Sequence, residues 1–152
     1  MGRIVGSVVA GYVTMFVLVF ILFSGAYLML GTGGSFAAGS WDVSLAWVVI
    51  SLLVGIAAAV AGGWVCATIA KDLRGPRALA IVVVVLGLLM ALPVLLGTGE
   101  AAAVGARPET VGLIEAMQNA KQPTWIALLN PLLGAVGVLI GAGLKGSPRA
   151  SA

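Results

Sequence analysis

Four long stretches of the chain, 4–30, 45–70, 78–96 and 125–144, contain no Asp, Glu, Lys, Arg or His, and the polar residues are pushed into the segments between them. The runs are 27, 26, 19 and 20 residues long. A helix rises about 1.5 Å per residue and the hydrocarbon core of a bilayer is about 30 Å thick, so about 20 residues cross it and the first two runs have length to spare for tilt. The pattern predicts an all-α, polytopic integral membrane protein: one domain, a bundle of four transmembrane helices at these boundaries.

The connections carry their own signals. In the link 71–77, Gly75 suits a helix stop and Pro76 a restart, so the second and third spans are expected to be antiparallel neighbours. The first outer loop, 31–44, is rich in Gly and Ser. Trp41, Trp47 and Trp64 read as interfacial anchors. The second outer loop, 97–124, contains a predicted short amphipathic helix at 108–121, with Leu113, Ile114, Met117 and Ala120 on one face, Glu115, Gln118 and Asn119 on the other, and Val111 out of place. Glu109 at its start and Lys121 at its end suit the helix dipole, and Pro123 stops it.

Composition adds direction. Hydrophobic residues make up 61% of the chain and charged ones 9%, too few for a second, soluble domain. Arg3, Lys71, Arg74, Arg77, Lys145 and Arg149 fall on one side of an even-numbered topology, Arg107 and Lys121 on the other, which places both termini in the cytoplasm by the positive-inside rule. Asp42, Glu100, Glu109 and Glu115 fall outside and Asp72 inside. The net charge of +3 is scattered in ones and threes. It therefore predicts topology and lipid headgroup contact rather than nucleic-acid binding. A first run of 27 residues is too long for a cleaved signal, and Gly6 breaks the myristoylation pattern. Abundant Ala, Gly and Val suggests a bacterial plasma membrane as the home.

The chemistry-bearing residues are few. With no His, a bis-histidine haem, a zinc site and a histidine relay are excluded, and with one cysteine, Cys66, so are a disulfide and a paired-thiol reductase. The spans lack the carboxylate that a small drug/proton antiporter uses. Nothing nominates a nucleophile, so no enzyme activity and no cofactor are expected; an enzyme would need a partner's groups or convergence of Glu100, Glu109 and Glu115.

Two residue sets remain. Small residues stand at helix-packing spacings: Ala58, Gly62 and Cys66 on the second span, Gly87 and Ala91 on the third, Gly137 and Gly141 on the fourth. They fit either a homo-oligomer interface or packing inside one bundle. Ser24, Ser51, Pro93, Asn130 and Pro131 form the second set, about 5–11 Å outward of their spans' midpoints at about 1.5 Å per residue. Pro93 and Pro131 each remove a backbone hydrogen bond. The set fits either an outward-facing polar crevice or an interhelical hydrogen bond. Ser7 and Thr14, by contrast, are cheaply explained by bonds to their own helical turns. The expected partners are the lipid bilayer and either another membrane protein or a second copy. The expected function is a non-enzymatic accessory or self-associating subunit; the alternative is a transporter or channel component binding a neutral solute or lipid in that crevice.

Overall fold

The computed structural model describes residues 2–96 and 106–145. They form five helices: α1 (Gly2–Ser35), α2 (Leu45–Ala70), α3 (Arg74–Leu95), α4 (Leu113–Asn119) and α5 (Thr124–Leu144). There is no strand among the described residues, only two isolated bridges, Phe36 with Val43 and Asp42 with Lys121. All helices except α4 are long and apolar enough to cross a membrane.

The boundaries agree with the apolar runs where a local stop exists. α2 starts after Ser44, whose hydroxyl accepts the Trp47 N–H at 3.1 Å. It ends at Lys71, which turns left-handed (φ 59°) and gives its N–H to the Ala67 carbonyl. The stop is thus four residues before Gly75. α1 continues to Ser35, beyond the expected 30, but Gly31 inside it is not helical: φ 65° with ψ −177° is a conformation that essentially only glycine adopts. A straight helix therefore ends where the run ends, and a separate turn follows.

α3 begins at Arg74 rather than 78, because Asp72 Oδ1 accepts the N–H groups of Arg74 (2.9 Å) and Gly75 (3.3 Å). Gly75 serves packing: a Cβ there would sit 2.6 Å from that of Ala70 and 2.7 Å from Ser7 Oγ. α4 is half the expected 108–121. Its buried residue is Ala116, while Ile114 and Met117 are exposed. The segment before it is not helical: Val111 is itself buried, and its N–H and carbonyl are bonded to Thr32 and Tyr27.

α2 is the central helix, packed along α1 on one side and α5 on the other, and α5 carries α3. The expected pairing of the second and third spans is accordingly minor: α3 touches α2 far less than it touches α5. A short link brings two helices together only at one end, and small residues decide the rest. A Cβ on Gly63 would fall into the Val138 carbonyl, one on Gly141 into the Val60 carbonyl, and one on Gly137 2.7 Å from Ala59 Cβ. On the other flank of α2, Gly11 and Gly62 each lie against the other's carbonyl, 2.8 and 2.7 Å from where a Cβ would stand. Ala58, Gly62, Gly137 and Gly141 are all buried in these seams, and Ala59, Cys66, Leu79, Ala80 and Val138 fill the core between them.

One end of the bundle gathers the start of α1 and the ends of α2 and α5. There Arg3 Nε donates to the Ile69 carbonyl (2.9 Å) and Lys145 Nζ to that of Ala67 (3.0 Å). Two cations from neighbouring helices thus bind carbonyls at the end of α2, that of Ala67 accepting from the Lys71 N–H as well.

Candidate functional site

At the opposite end the connections build a cap. Residues 36–43 fold back on themselves, with Ala37 N–H on the Asp42 carbonyl and Ser44 N–H on that of Ser35. Lys121 joins as a third segment, donating to the Trp41 carbonyl and accepting from Val43 N–H. Arg107 is the rivet. Its buried guanidinium donates to the carbonyls of Ser40 (2.9 Å), Pro108 (2.7 Å) and Ala37 (3.4 Å) and lies 5.3 Å over the Phe36 ring. Tyr27 OH donates to the Val111 carbonyl at 2.7 Å, and Val111 N–H reaches Thr32 Oγ1 at 3.2 Å, so α1 holds the segment leading into α4. Around these bonds Tyr27, Phe36, Trp41, Val111 and Ala116 form a second apolar core. Trp41, expected as an interfacial anchor, is buried in it with its ring edge-on to Phe36 at 5.8 Å.

The five crevice candidates do not all meet. Ser51 is buried and donates to the Val48 carbonyl of its own helix at 2.8 Å. Ser7 and Thr14 do the same, to Ile4 and Ala10. Ser24 is half-buried and Pro93 exposed, and neither lines the cavity that Asn130 lines. Asn130 and Pro131 stay together, facing α3. Pro131 has no N–H for the Ala127 carbonyl, and its ring sits on Gly87, where a Cβ would be 2.6 Å from the proline Cγ. Between the two helices lies an open cavity of about 320 Å³, with Gly87 and Ala91 on the α3 side and Ala127, Asn130 and Pro131 on the α5 side. Asn130 is exposed and its side chain makes no hydrogen bond to any other described residue. The interhelical bond expected of it is not formed within the bundle.

This crevice offers a carboxamide, both donor and acceptor, set in an apolar wall, with no acid or base beside it. Of the outer acids, Glu109 and Glu115 are exposed and Glu100 lies outside the described residues. Among the described residues no three of His, Cys, Asp and Glu come together in a metal-binding group. No model of a known family, no curated protein and no solved structure matches the chain.

Sequence reasoning missed the cap. Arg107 counted there only as an outward charge, and Tyr27 and Thr32 were not singled out for the backbone groups they bind some 80 residues away. Backbone carbonyls as partners leave no trace in a side-chain pattern.

Proposed function

We propose that the chain is a non-catalytic integral membrane protein of a bacterial plasma membrane, with both ends cytoplasmic and the cap outside. It works as a self-associating or accessory subunit. The α3/α5 crevice around Asn130 is the surface on which a second membrane helix docks, in the first instance that of another copy.

One observation carries the reading: Asn130, the seventh residue of α5, is exposed and has no partner among the described residues. At about 1.5 Å per residue it lies about 9 Å inside the helix start, within the apolar layer. An amide left without a partner there costs about 2–7 kcal/mol on transfer scales. Two copies related by a two-fold axis present two amides to each other, each donor facing the other's acceptor. The small residues of the fourth span are not available for this, since Gly137 and Gly141 are buried against α2.

The test is Förster transfer between donor- and acceptor-labelled copies diluted in liposomes. Interhelical polar bonds of about 0.6–2 kcal/mol translate into a 3- to 30-fold weaker association for Asn130→Leu. Equal transfer in the variant and the wild type refutes the docking surface. If association is equal and a transport activity disappears instead, the crevice takes a neutral solute, as the alternative reading holds.

A further inference from the structure

A second cavity, of about 440 Å³, lies beneath the cap. All four phenylalanines of the chain line it, Phe16, Phe20, Phe23 and Phe36, together with Tyr27 and Trp47. Four of these six follow one another on α1 at spacings of 4, 3 and 4 residues, which is one face of a helix. They span about 16 Å along the axis. The groove therefore runs lengthwise down the outer half of α1, in the direction that a lipid tail takes in a leaflet. Trp47 fixes its wall, 5.6 Å from the Phe23 ring and edge-on to Tyr27 at 6.2 Å. Ala116, Met117 and Ala120 of the α4 region form its roof and Gln122 its polar rim. The groove stays open at the side, where Phe16, Phe20 and Met117 are 66%, 52% and 57% exposed.

Size decides what fits. At about 30 Å³ for each group the size of a water molecule, the cavity takes about 15 methylenes, the length of one acyl chain. The lining carries no charged side chain, and its polar groups are the Tyr27 hydroxyl, the Trp47 indole N–H and the Gln122 amide; exposed Lys121 precedes Gln122 in the chain. An apolar tail with a phosphate at its head matches that order.

We infer that this groove holds one acyl chain of a phospholipid from the outer leaflet, its headgroup at the Gln122 end. The site rests on the membrane-spanning part of the proposed function and is independent of association through Asn130.

Bromine on an acyl chain quenches nearby indoles, and Trp47 lines the groove. Phosphatidylethanolamine brominated in its tail is titrated into the detergent-solubilised full chain, and the quenching seen in wild type but not in Trp47→Phe is read. Saturation at about one lipid per protein, with a midpoint at least fivefold higher for Ala120→Phe, supports the site. Quenching that rises linearly with lipid and is unchanged in Ala120→Phe overturns it. So does quenching that emerges only on dilution to monomer, which assigns the groove to a second copy. Lipid counting on the wild type by native mass spectrometry keeps the test valid if Ala120→Phe fails to fold: one retained phosphatidylethanolamine supports the site and none refutes it. A chain that needs no detergent to remain in solution fails at the membrane reading instead, and the two failures are distinct.

Discussion

Replacing Gly63 with Ala is the sharpest probe of how this bundle is held together. In a helix interior, Gly→Ala alone stabilises by about 0.8–1.0 kcal/mol. Gly55, on the same helix with nothing within 4 Å of where the methyl would stand, supplies that reference. At Gly63 the methyl would enter the Val138 carbonyl, and backbone has no rotamer to swing aside. Ordinary contact begins at 3.4 Å, so α2 and α5 must part by about 1 Å or more, and a gap of that size forfeits a quarter to a half of each dispersion contact along the seam. Overpacking of a tight interface costs about 1–3 kcal/mol. The propensity gain is common to both variants, so Gly63→Ala should be less stable than Gly55→Ala by the overpacking cost alone, about 1–3 kcal/mol. The assay is unfolding in mixed micelles by added SDS, followed by circular dichroism and tryptophan emission. Because Gly141 faces the Val60 carbonyl in the same seam, adding Gly141→Ala to Gly63→Ala should cost less than the two single effects combined. A Gly63→Ala protein as stable as Gly55→Ala refutes the close seam.

Other expectations concern the cap and the crevice. Arg107→Leu strips three carbonyls of a charged donor at about 1.5–3 kcal/mol for a hydrogen bond of that kind, and amide exchange should quicken at 37–43 and 107–111 while the bundle stays protected. Arg107→Lys should not rescue it, since a single ammonium lacks the planar fork that reaches all three. Tyr27→Phe removes the bond to the Val111 carbonyl and should cost about 1 kcal/mol, read as faster exchange in α4 and its lead-in segment. Asn130→Leu should change the unfolding midpoint of the monomer in detergent by less than about 0.5 kcal/mol, the usual range for a surface substitution without internal partners. A large loss would mean that the residue is structural.

What the sequence made legible was length, and where it failed the reasons are physical. The α2 boundaries came out at 45 and 70 because Ser44 and Lys71 end the helix where charge also begins. α3 came out short because Arg74 and Arg77 are helical yet polar, so an apolar run marks the uncharged part of a helix and not the helix. Pairing was illegible: Gly11, Gly62, Gly63, Gly137 and Gly141 have packing spacings on three helices, and nothing in a spacing names the partner that approaches. Of the candidate crevice, Asn130 and Pro131 were recoverable as polar or kinking residues inside a run. Their true neighbours, Gly87 and Ala91, were visible only as small residues on another helix. The amphipathic segment misled for a different reason. Ile114 and Met117 look like a buried face, but the bonds that Tyr27 and Thr32 make to Val111 fix the entry to α4 and turn Ala116 inward.

Among the polar residues of the helices, Asn130 shares with Ser24 and the buried Ser35 a side chain without a hydrogen bond to another described residue. Ser7, Thr14, Ser51 and Thr68 each return their hydroxyl to a carbonyl three or four residues back, so their polarity is spent within their own turn. Asn119 shows that an amide can do likewise: its Nδ2 donates to the Glu115 carbonyl at 3.0 Å. Asn130 had the better opportunity, because Pro131 leaves the Ala127 carbonyl without its helical donor one turn away. It does not take it. An amide carries two donors and an acceptor, and this side chain uses none of them on another described residue. On the proposed docking, the second copy at the α3/α5 crevice supplies the partner.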